Sequence, residues 1–75
     1  MIVLSWNCRG LGNRSAVEVL ADLVRKKGPT ILFLMETELT VREMETIKTE
    51  LGFASMLAVP SDGRRWGLAM LWKLM

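Results

Sequence analysis

The sequence predicts an α/β fold with the element order β-α-β-α-β-β, and three observations carry that prediction. Two apolar segments, residues 2–6 with β-branched Ile2 and Val3 and the continuous run 31–35, are each followed by a segment with apolar residues at helical spacing. Each helical segment has recognisable start and stop signals. Two further apolar runs, residues 53–59 and 67–72, flank Ser61-Asp62-Gly63, a hairpin turn signal.

Taken in order, Ile2-Val3-Leu4 and Trp6 suit an opening buried strand, which ends in a Gly-containing turn from Cys8 to Arg14. Ser15-Ala16-Val17-Glu18 has the form of a capping box, with the Ser15 hydroxyl accepting from the Glu18 amide. Val17, Leu20, Ala21 and Val24 then make the apolar stripe of a helix. Arg25-Lys26-Lys27 complements the negative end of its dipole, and Gly28-Pro29 stops it. Ile31-Leu32-Phe33-Leu34-Met35 is a continuous apolar run, as expected of a central strand covered on both faces. Thr40-Val41-Arg42-Glu43 repeats the capping box, with Leu39 and Met44 placed as a hydrophobic staple. Met44, Ile47 and Leu51 face the core until Gly52 ends the helix.

Composition narrows the class. A chain of 75 residues with 51% hydrophobic and 24% charged residues is one small globular domain. Ten Lys and Arg against eight Asp and Glu leave a net charge of +2, too weak to indicate nucleic acid by itself. A single cysteine, Cys8, allows no internal disulfide, and the first residues lack a charged leader before an apolar run, so a reducing, intracellular compartment is expected. The longest apolar runs fall far short of the roughly 20 residues that span a bilayer. With no His and no Tyr, Ser-His and Cys-His nucleophile schemes are excluded for these residues. Cys8 reads as inert, and the six methionines as gap fillers. Trp6, Trp66 and Trp72 read as core or sheet-face residues, and Arg64-Arg65 as solvated charges.

A strand, a crossover helix and a second strand make a right-handed parallel unit whose carboxyl ends lie on one edge, where ligands bind in open α/β sheets. Asn7 and Glu36 share that edge. Adjacent strands lie about 4.8 Å apart, so the two side chains can converge. Glu36 offers the hard, anionic oxygen that Mg²⁺ prefers, while the Asn7 amide can donate to a phosphate oxygen or hold the carboxylate in place. A competing pattern is Gly10-x-Gly12-x-x-Ser15 with Glu36 beyond it, which imitates a dinucleotide-binding fingerprint. Ser15 stands where that fingerprint has its third Gly, and three residues separate the strand end from Gly10.

Trp6-Asn7-Cys8-Arg9-Gly10-Leu11-Gly12, Leu34-Met35-Glu36-Thr37 and Gly67-Leu68-Ala69-Met70-Leu71-Trp72-Lys73 resemble the beginning of an endonuclease/exonuclease/phosphatase domain. Within that superfamily the likeness is to the apurinic-endonuclease-like domain of plant LINE-type retrotransposons. It spans residues 1–75 and covers the N-terminal part of the family domain. One departure is Trp66, where the family tends to have a small residue before its Leu-Ala strand. The resemblance implies a four-layer α/β/β/α sandwich of the DNase I type, of which these residues supply about half. It also implies Asn7 as an active-site asparagine, Glu36 as a metal-binding glutamate, Mg²⁺ as cofactor, DNA as partner and a nuclear location. The family's later tyrosine, aspartates, asparagine and histidine have no counterpart here, so the expectation is a truncated metal-dependent phosphodiesterase, inactive alone, or a non-catalytic retroelement relic. A sheet without its partner sheet would expose an apolar face, and self-association through that face is expected.

Overall fold

The computed structural model describes residues 1–59 and 67–73. The elements are β1 (Val3–Asn7), α1 (Arg14–Lys27), β2 (Ile31–Met35), α2 (Val41–Leu51), β3 (Ser55–Val59) and β4 (Leu68–Trp72), in the predicted order. They build one sheet with strand order β1-β2-β4-β3. β1 and β2 are parallel, whereas β4 runs antiparallel to both β2 and β3. Both crossovers, β1-α1-β2 and β2-α2-β3, therefore advance across the sheet in the same direction. Two right-handed crossovers in one direction put both helices on one face.

Burial follows from that placement. Leu32, Leu34, Ala69 and Leu71 point to the helices and are buried, and Leu20 and Met44 pack over them from α1 and α2. The opposite face is open. In register across it lie Val3, Ile31 and Trp72 on one row and Ser5, Phe33, Met70 and Leu57 on the next, followed by Asn7, Met35, Leu68 and Val59. Leu57 is 64% exposed and Phe33 41%. These strands enclose an apolar trough of about 340 Å³ on that face. Two of the expected four layers are therefore present, one of helices and one of sheet.

Expectations for β2, β1 and the α1 cap are corrected. β2 is central but covered on one face only, because both helices lie on the same side; its burial alternates, with Leu32 and Leu34 inside. β1 is likewise not buried throughout: as an edge strand with the same open face, it exposes Val3, Ser5 and Asn7 and half-buries Leu4 and Trp6. The α1 cap is Asn13, not Ser15. The Asn13 side chain accepts from the Ala16 amide at 2.8 Å, which starts the helix at Arg14. Asn caps as well as Ser does, and a start two residues earlier brings Arg14 into the helix, from which it forms an ion pair with Glu50 of α2. That pairing holds the Glu50 carboxyl below its ordinary value. Asn13→Ala is expected to cost about 1 kcal/mol, while Ser15→Ala, at an exposed site, should cost under about 0.5 kcal/mol. Urea denaturation ranking the two the other way round would return the cap to Ser15.

The remaining cap and stop signals are as read, and only Phe53 changes element. Gly28 closes α1 in the left-handed conformation after the three basic residues. Thr40 and Glu43 form the reciprocal capping box of α2, and both staple residues, Leu39 and Met44, are buried. Phe53 belongs to the end of α2 and not to β3: its amide donates to the Lys48 carbonyl at 3.1 Å, a Schellman-type closure after Gly52. Its ring is buried, with the Lys73 ammonium 5.5 Å from its centroid. Trp6 packs on the core and Trp72 lies on the open sheet face. The hairpin turn signal, Arg64-Arg65 and Trp66 lie outside the described residues.

Candidate functional site

Parallel pairing of β1 with β2 sets Asn7 opposite Met35, one residue before Glu36. The pairing continues past the strand ends. The amides of Cys8, Gly10 and Leu11 donate to the carbonyls of Met35, Glu36 and Thr37 at 2.8, 2.8 and 2.9 Å. The turn after β1 is thus stitched to the turn after β2, and both leave the sheet together. That stitching explains how Glu36 persists with φ +54°. A left-handed conformation costs a non-glycine residue roughly 1–3 kcal/mol and survives only where neighbours over-determine it. Arg9 at +51° and Glu38 at +56° share this conformation, so the strain is concentrated in these two turns.

The two side chains meet. Asn7 Nδ2 donates to Glu36 Oε2 at 2.7 Å, and Asn7 Oδ1 accepts from the Arg9 amide at 3.2 Å. Because a backbone N–H can only donate, the second bond fixes which end of the amide faces Glu36. Asn7 closes an Asx turn and aims its donor at the carboxylate in the same act. Of the two roles open to the Asn7 amide, holding the carboxylate is the one the geometry displays. Glu36 Oε1 has no hydrogen-bond partner among the described residues, which leaves an anionic oxygen for a further ligand. Asn7 is exposed and Glu36 half-buried at the carboxyl edge of the sheet.

Neighbouring groups limit the chemistry. The Cys8 thiol is buried, and that burial pushes its pKa up to about 12; the Glu36 charge pushes the same way, against a backbone hydrogen bond at Met35. A thiol so protonated at neutral pH is no nucleophile, in line with the inert reading. Among the described residues no group of three or more Cys, Asp or Glu gathers as a metal site. A second concavity, of about 300 Å³ between Val24, Arg25, Leu51 and Lys73, contains neither Asn7 nor Glu36.

The model of the endonuclease/exonuclease/phosphatase family matches residues 4–75. The chain belongs to that family. No curated protein matches it. The family points to a phosphodiesterase- or nuclease-like domain with nucleic-acid substrates, and its members are typically metal-dependent. Asn7 and Glu36 meet at the carboxyl edge of the parallel pair β1 and β2, inside the matched residues. The dinucleotide reading loses ground on topology, since β4 runs antiparallel beside β2 where that fold continues with parallel strands. Among the described residues no helix is long and apolar enough to cross a membrane.

Sequence reasoning brought Asn7 and Glu36 to one edge, as the structure does, but missed what holds them there. The motif Leu34-Met35-Glu36-Thr37 gives no sign that Glu36 turns left-handed or that Thr37 is buried behind it. The nearest signal was Gly67 before the last strand, whose need for glycine becomes apparent only once Thr37 lies against it.

Proposed function

We propose that the chain is the N-terminal part of a Mg²⁺-dependent phosphodiesterase of the endonuclease type, retrotransposon-derived and acting on DNA. The observation that carries this reading is the 2.7 Å hydrogen bond from Asn7 to Glu36 at the carboxyl edge of two parallel strands. Glu36 would supply one carboxylate oxygen to the cation through Oε1, and Asn7 would hold that carboxylate in place. The chemistry of the pair fits Mg²⁺, which takes one or two carboxylates and fills its other positions with water and substrate phosphate. Bound there, the cation would supply Lewis-acid charge at a phosphoryl oxygen. Cleavage also needs a base to activate water, and the 75 residues contain no His or Tyr for that task. These residues alone are accordingly inactive, and LINE-type ancestry, supported by the three sequence motifs, accounts for a partial site. Adding the remainder of such a domain in trans is expected to restore Mg²⁺-dependent nicking of DNA. Complementation that proceeds equally in EDTA would refute the metal assignment.

The open sheet face supports a second part of the reading. An apolar face of this kind, when no second sheet covers it, joins copies of the chain. Leu57→Lys, on the edge strand β3 in the middle row of the face and 64% exposed, is expected to shift the chain from oligomer to monomer in sedimentation velocity. A wild-type chain that stays monomeric at high concentration contradicts the association.

A further inference from the structure

We infer that Thr37 and Gly67 form a clamp that orients the Glu36 carboxylate, with Thr37 as its positioning residue; the inference rests on the reading of Glu36 as the cation-binding group.

Three observations converge on the clamp. Thr37 is only 1% exposed, the one buried polar side chain among the described residues, although it lies between the half-buried Glu36 and the exposed Glu38. Its backbone is held from both sides: the Thr37 amide donates to the Gly67 carbonyl at 3.1 Å, and its carbonyl accepts from the Leu11 amide at 2.9 Å. The side chain also closes against Gly67. A β-carbon at residue 67 would run into Thr37 Oγ1 at a separation no side chain shows, and would stand 3.1 Å from the Glu38 amide nitrogen. Gly67 is therefore glycine for close approach, and Thr37 fills the space that the missing β-carbon leaves.

The consequence falls on Glu36. A left-handed residue breaks the up-and-down alternation of the strand before it, so the direction of its side chain depends on what holds that conformation. Here the holders are Gly10, which takes the Glu36 carbonyl, and Thr37, locked between the turn after β1 and the start of β4. Moving Thr37 would rotate Glu36 and carry Oε2 away from Asn7 Nδ2. Partners that orient a ligand typically matter tenfold to a hundredfold in metal affinity.

The test reads the side-chain amide protons of Asn7 by NMR in the intact, metal-free chain, then titrates Mg²⁺. In the wild type the proton facing Glu36 is expected to be shifted downfield and slow to exchange. Gly67→Ala should return it to the position of a free amide and weaken Mg²⁺ binding about tenfold. Adding Thr37→Ala to Gly67→Ala removes the colliding oxygen and should recover part of the signal, a rescue that general destabilisation would not produce. If Gly67→Ala fails to fold, Thr37→Ser, which keeps the signal, and Thr37→Ala, which loses it, decide the matter. An Asn7 signal unchanged in Gly67→Ala and Thr37→Ala, with the Leu20 and Leu71 methyls in place, overturns the clamp, as does its absence in the wild type. Mg²⁺ that leaves wild-type Asn7 and Glu36 unmoved defeats the metal reading instead, with the clamp still judged by the metal-free signal.

Discussion

Glu36→Ala is expected to reduce complemented, Mg²⁺-dependent nicking about a thousandfold. A metal-bound oxygen stabilises developing charge by several kcal/mol, and each ~1.4 kcal/mol is tenfold in rate. Asn7→Ala should cost less, about tenfold to a hundredfold, because Asn7 orients the carboxylate and does not replace it. Stability should move differently from activity. Alanine keeps the β-carbon that makes φ +54° unfavourable, so Glu36→Ala brings no relief. Glu36→Gly removes that cost and is expected to be about 1 kcal/mol more stable than Glu36→Ala, although equally inactive. Urea denaturation with a nicking assay on the same two variants checks both halves. Equal stabilities would mean that the turn is not strained, and nicking that survives in either variant would remove Glu36 from the site.

The second large effect lies in the core. Leu32 is fully buried between the helices and the centre of the sheet, and Leu32→Ala should cost about 3 kcal/mol, as Leu-to-Ala changes at such sites do. A small domain near the roughly 5 kcal/mol lower end of natural stabilities would lose much of its folded population. Phe33, the next residue, points to the open face and is 41% exposed. At concentrations where the chain is monomeric, Phe33→Ala should cost under about 1 kcal/mol despite deleting a larger side chain. Similar costs for the two variants would mean that both faces of β2 are covered, as its unbroken apolar run suggested.

That run shows where the sequence was legible and where it was not. Ile31 to Met35 reads as buried on both sides because its open-face residues are as apolar as its core-facing ones. Sequence records that a face is meant to be covered, not whether the cover belongs to these residues. Element order, the α2 capping box and the stop signals at Gly28 and Gly52 were legible because each depends on contacts within a few positions. The α1 cap was misplaced by two residues because Asn13 and Ser15 are equally competent caps by residue type, and the capping-box pattern at Ser15 favoured the wrong one. Of the strand order only the β1-β2 and β3-β4 neighbours were legible. Nothing local says that β4 inserts between β2 and β3, yet that insertion brings Gly67 beside Thr37.

The candidate site divides in the same way. Asn7 and Glu36 were legible because a parallel crossover unit forces successive strand ends onto one edge, and their residue types suit a cation and its support. Their hydrogen bond, the left-handed turn and the Thr37 lock depend on tertiary contacts between turns 26 or more residues apart in the chain. No period or motif encodes those.

The central claim, that Asn7 and Glu36 form a cation half-site, is tested most directly by titrating Mg²⁺ into the intact chain and following its backbone amide spectrum. Selective, saturable shifts at Asn7, Cys8, Glu36 and Thr37, absent in Glu36→Ala, are the expected result. A dispersed spectrum in which these four residues ignore Mg²⁺ while the fold stays intact would contradict it.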